Sequence, residues 1–147
     1  MLNDVAIEIA DEVVNDLNAQ LFSIQFTAER HYLPKFELER NATPVVAVAP
    51  RDVSSEQQTR DTLEERWGLD IGVLARVKSA DPELVDPLMA LVTEIRGRYS
   101  IYRTIGGRGV SFEPASDVLY DRDWLEQKHQ FAGVIQLSFQ IERQLYG

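Results

Sequence analysis

The run Phe131–Arg143, FAGVIQLSFQIER, sets the strongest limit on the fold: Phe131, Ile135, Leu137, Phe139 and Ile141 hold odd positions, with Gln136, Ser138, Gln140 and Glu142 between them. A period of two puts the aromatic and branched side chains on one face of a half-buried strand. Trp67–Val77, WGLDIGVLARV, repeats the pattern through Trp67, Leu69, Ile71, Val73, Ala75 and Val77. Two long strands with one apolar face each need a common cover, which amphipathic helices elsewhere in the chain can supply. The expected fold class is α+β: a mainly antiparallel sheet with two main helices packed on one face, and a long β-hairpin.

A chain of 147 residues is read as one domain, 1–147, able to bury a core without disulfides or a structural metal. Cysteine is absent, which removes disulfide frameworks, zinc–thiolate clusters and thiol nucleophiles. The opening MLNDVAIEIADEV carries acids where a secretory signal carries Lys or Arg, and nothing nears the roughly 18 apolar residues of a membrane span. A soluble protein without a membrane partner is expected. Lys and Arg total 15 against 24 Asp and Glu, a net charge of −9 that opposes adhesion to nucleic-acid phosphates but lets DNA pass nearby unbound.

Val5, Ile9, Val13 and Leu17 give Leu2–Leu17 the stripe of an amphipathic helix, capped by Asn3 or Asp4, with Asp11, Glu12 and Asp16 on a solvated face. Phe22, Ile24, Phe26 and Ala28 predict a first strand ending near Tyr32. Leu33–Asn41, with Pro34, reads as an irregular crossing, and Pro44–Pro50 as a strand closed by proline at both ends. Arg51–Asp61 is polar and aperiodic, so it reads as the long exposed tip of a hairpin, ordered only by partners. Asp81-Pro82-Glu83 opens a second helix with a stripe of Leu84, Leu88, Leu91, Val92 and Ile95; Pro87 kinks it or marks its true start, and Gly97 marks its end. A strand from Val110, interrupted at Pro114, and a short helix capped by Asp121 precede the final strand.

No motif carries recognisable chemistry. His31 and His129 have no ligand partner at metal spacing, and GxSxG is missing. IGGRGV is glycine-rich but lacks the Lys-Ser/Thr ending of a phosphate loop, so it reads as a flexible turn. Neither a cofactor nor a metal is expected. Basic residues recur at Arg51, Arg60, Arg98, Arg103 and Arg108, and on an acidic chain they are candidate docking points.

Two stretches carry a family resemblance. FTAERHYLPKFELERNATPVVAVAPR, through Arg30, Tyr32, Pro34, Val46, Val48 and Pro50, resembles a segment of small neck proteins of tailed bacteriophages, and DVLYDRDWLEQKHQFAGVIQLSFQ is similar to their ending at Leu119, Tyr120, Asp121, Leu125 and Phe131. The chain thus resembles the tail terminator and tail-completion proteins. The resemblance implies a structural virion protein, assembled in the bacterial cytoplasm, without catalytic activity. It further implies a ring, commonly a hexamer, that caps the tail tube, ends its polymerisation and offers a joining surface to the head connector or head-closure protein. DNA would pass through the lumen unbound, with part of the negative charge facing it. The interface residues expected are Arg51, Asp52, Glu56 and Arg60 on the hairpin, and Arg103, Gly106, Gly107 and Arg108 after the second helix. The GGRG run at 106–109 matches no motif of that family.

The nearest rival is another connector, a head-closure or adaptor protein, or the adaptor of a phage-derived contractile machine. A rival of a different class is a small cytosolic enzyme or ligand-binding module with a site built from Glu64, Asp121 and Asp123, which requires those acids to converge in a pocket.

Overall fold

A computed structural model of the chain describes residues 4–40, 42–101, 104–105, 108–112 and 119–144. The elements run α1 (Val5–Ala19), β1 (Thr27–Arg30), β2 (Val45–Gln57), β3 (Thr62–Arg76), α2 (Pro82–Ile101), β4 (Thr104–Ile105), β5 (Arg108–Phe112), α3 (Arg122–Lys128) and β6 (Gln130–Gln144). The strands form one six-stranded sheet in the order β1-β2-β3-β6-β5-β4. Only the β1–β2 pairing is parallel. The fold class is therefore the α+β arrangement expected.

At its centre β3 and β6 pair in register along their whole length, from Thr62↔Gln144 to Arg76↔Gln130. The alternation that marks both strands becomes one continuous buried surface: Leu69, Ile71, Val73 and Ala75 beside Phe131, Ile135, Leu137 and Phe139. Helix α1 covers it with Ile9, Ala10, Val13 and Leu17, and α2 with Val85, Leu88, Leu91, Val92, Ile95 and Tyr99. Asp4 is the N-cap of α1, its Oδ1 accepting from Ile7 N at 3.2 Å.

Several expectations are corrected. Strand β1 is confined to Thr27–Arg30, and Phe22, Ile24 and Phe26 pack on the core from an irregular segment before it. A parallel neighbour cannot be reached by a tight turn, so residues 31–44 cross from the end of β1 to the start of β2. That crossing lies over the second face of the sheet. Leu38 is buried there against Ala47, Leu74 and Ala132. Gly72 permits the approach, for a Cβ at that position would collide with the carbonyl of Pro34. Strand β2 does not stop at Pro50 but continues through a bulge between Pro50 and Asp52 to Gln57, so most of the expected loop at Arg51–Asp61 is paired strand.

Helix α2 runs from Pro82 through Pro87 and Gly97 to Ile101. The apolar stripe explains this persistence: Val85 rather than the 40 % exposed Leu84 faces inward, and Tyr99 extends it one turn past Ile95. Strand β5 begins at Arg108, ahead of Val110, while Pro114 and Asn3 lie outside the described residues. Asp121 caps α3 as expected, and His129 closes that helix in the left-handed region, φ 50°.

Of the acids read as the solvated face of α1, Asp11 is exposed, Glu12 is half-buried and Asp16 is turned inward, and each pairs with another element. Asp11 pairs with Arg30 of β1 at 3.0 Å, Glu12 and Glu8 with Arg108 of β5 at 2.8 and 3.2 Å, and Asp16 with Arg98 of α2 at 2.7 Å. The Tyr99 hydroxyl donates to Asp16 at 3.0 Å, and burial, reinforced by that carboxylate, pushes its pKa far up. At the outer edge of β1, the Asn18 side chain bonds both backbone groups of Ala28, at 3.0 and 3.1 Å.

Gly72→Ala is expected to displace the crossing and destabilise the protein by about 1–3 kcal/mol, measured by urea denaturation. An unchanged midpoint would show that the Pro34 carbonyl does not rest on the sheet there.

Candidate functional site

β1 pairs with β2 only as far as Val48, and β5 with β6 only as far as Gln140. Beyond those points β2, β3 and β6 continue alone to Gln57, Thr62 and Gln144. The result is a three-stranded blade whose outer edges are unpaired among the described residues. Its tip is tight: the amides of Gln58 and Thr59 both bond Thr62 O, at 3.1 and 3.4 Å, and Thr59 Oγ1 accepts from Thr62 N at 3.1 Å.

The two faces of the blade differ. One continues the core face outward through Trp67, Phe139 and Ile141 to Val53, which is 47 % exposed. The Trp67 indole N–H is buried there without an acceptor among the described residues. On the opposite face the register sets Glu56 beside Glu64 and Glu64 beside Glu142, a row of three carboxylates across three strands. Like charges directly opposite one another are unfavourable. Donors converge on the middle one: Gln58 Nε2 at 2.8 Å, Arg66 Nε at 3.2 Å, and Gln140 Nε2. Glu65, on the other face, takes Arg143.

The residues singled out in the sequence fall into three groups. Asp52, Glu56 and Arg60 are exposed on the blade, as an interface requires. Arg51, Arg98 and Arg108 are turned inward and paired within the chain. Arg51 sits at the bulge, its guanidinium on Asp70 and 3.5 Å from Asp52, in space that Gly68 leaves open. Arg98 and Arg108 hold α1 through Asp16, Glu8 and Glu12. Arg103, Gly106 and Gly107 lie outside the described residues. Glu64 and Glu142 belong to the blade face but were not singled out as interface residues; only the strand register, which no local pattern specifies, sets them in one row.

The acids of the rival enzymatic site do not converge. Asp121 N bonds Ala132 O, and Ala132 pairs with Leu74, ten residues along β3 from Glu64, or about 33 Å at strand rise. Asp121 has structural partners: Lys35 Nζ donates to Oδ2 at 2.6 Å and Trp124 N to Oδ1 at 3.1 Å. The Lys35 bond above all, helped by the cap, holds its carboxyl below the usual carboxylate range. Among the described residues no cluster of His, Asp or Glu is placed to hold a metal ion, and no helix is long and apolar enough to cross a membrane. Compared with protein-family models and with curated proteins, the chain matches none.

A carboxyl with a lowered folded pKa stabilises above its unfolded pKa, and that contribution is lost as pH falls through the folded value. Asp121→Ala is therefore expected to cost about 1–2 kcal/mol at neutral pH, with the gap to the parent narrowing below the ordinary value of 3.8. Urea titrations across that range decide it; a gap that stays constant would mean that the charge on Asp121 adds nothing.

Proposed function

We propose that the chain is a structural subunit of a bacteriophage neck, a tail terminator that assembles as a ring on the end of the tail tube, stops its growth and presents a surface for head joining. The blade carries this reading. It extends past the ends of the β1 and β5 pairings with edges unpaired among the described residues, and each face suits a different neighbour. Unpaired strand edges and partly exposed apolar side chains favour contact between subunits.

The opposite face, with Glu56, Glu64 and Glu142 in a row, suits a channel wall. Carboxylates along a lumen repel the duplex and let it slide, whereas cations would hold it. The resemblance to tail-completion proteins supports the same reading, and the acids of the enzymatic rival stand at opposite ends of the sheet.

Two measurements test the proposal. Light scattering on the purified chain, alone and with tail-tube protein, is expected to give a ring-sized species at least in the mixture; a monomer that ignores tube protein at every concentration overturns it. In cells lacking the chain, electron microscopy is expected to show overlong or unjoined tails, rescued by the parent. Tails of normal length that fail only at head joining would favour a head-closure role. Glu56→Lys with Glu142→Lys is expected to leave tail length normal while impairing DNA passage, read as tailed particles with reduced ejection.

A further inference from the structure

At the other end of the sheet, where β3, α3 and the crossing meet, lies a cleft of about 840 Å³ lined by Glu37, Arg40, Arg76, Lys78, Lys128 and His129. It gathers four cations and one carboxylate in a chain whose net charge is −9. We infer that this cleft is a docking site for a carboxylate-rich segment of a partner chain, an acidic peptide laid across the ends of β3 and α3.

Glu37 indicates which anion these cations accept. Its carboxylate lies 3.7 Å from Arg76 Nη2 and 3.8 Å from Lys128 Nζ, in reach of both but at hydrogen-bond distance from neither, and its side chain is 56 % exposed. It is a loosely held internal carboxylate that a better-placed one can displace. Arg40 and Lys78 have no ion-pair partner among the described residues and are exposed, so they are open to further acidic groups.

The cleft is poorly suited to a phosphate. Its most fixed cation, Arg76, already directs its guanidinium to the carbonyls of Leu38 and Lys128, so the charges left open to a partner are the separate ones of Arg40 and Lys78 rather than one compact cluster. Positive charges spread around an open cleft match carboxylates spaced along a peptide better than one compact polyanion. Lys128 also lies 4.6 Å over the Trp124 ring, which braces its stem beside the cleft.

The inference stands on the cleft alone and does not require that the chain be a neck protein. An oligoglutamate peptide titrated into the whole protein by calorimetry is expected to bind, with affinity falling as salt is raised. Amide shifts in an NMR titration should centre on Val77, Lys78 and His129. Glu37→Gln, which removes the competing charge without changing shape, is expected to tighten binding by about twofold to fivefold. Arg40→Glu and Lys78→Glu should each weaken it by about the same factor. Because these changes act in opposite directions on exposed side chains, a folding defect cannot mimic the set. The proposal is overturned if oligoglutamate does not bind, if Glu37→Gln leaves affinity unchanged or weaker, or if inorganic phosphate or a DNA oligonucleotide binds more tightly at the same amides.

Discussion

The unbroken ladder between β3 and β6 is the interaction on which the rest of the structure depends. It fixes which side chains face α1 and α2, and with β2 it forms the blade beyond the reach of β1 and β5. The second face of β3 then divides the molecule. Next to Arg76 at its C-terminal end, that face reads Leu74, Gly72, Asp70, Gly68, Arg66 and Glu64. Leu74 is covered by the crossing, Gly72 admits the Pro34 carbonyl, Asp70 holds Arg51, and Gly68 leaves room for that pair. Past Gly68 the face is polar and carries the carboxylate row. Covered body and open blade are thus two halves of one strand.

Electrostatics divides along the same line. On the body, acids and arginines neutralise each other between elements: Arg30, Arg98 and Arg108 each take a carboxylate of α1. A partly buried arginine fork with a carboxylate on each side fixes orientation more than it adds stability. On the blade Glu56, Glu64 and Glu142 stand in a row, and in the cleft four cations gather around one carboxylate.

Much of the fold was legible in the sequence because burial leaves a period. The core faces of β3 and β6, the stripe of α1 and the Asp121 cap are local patterns, and each element formed where its pattern lies. The polar arms of the hairpin were not legible, since RDVSSEQ carries no apolar alternation; it is extended because β3 is already fixed beside it. Pro50 misled as a strand end because an edge position with a bulge tolerates a missing N–H. The inward turn of Arg98 and Arg108 was hidden for another reason: their carboxylate partners lie 82 and 96 residues away. The positions that carry the phage resemblance include Val46, Val48 and Phe131, all fully buried. Such positions report packing, while the surfaces that would meet partners are composed of side chains that packing leaves unconstrained.

Asn18 closes one side of the sheet. Its amide occupies both outward-facing backbone groups of Ala28, standing where a seventh strand would otherwise bond β1. A helix side chain thereby acts as a chain terminator for sheet growth. Addition of a neighbouring strand is blocked at Ala28, on the edge of the sheet that β1 forms.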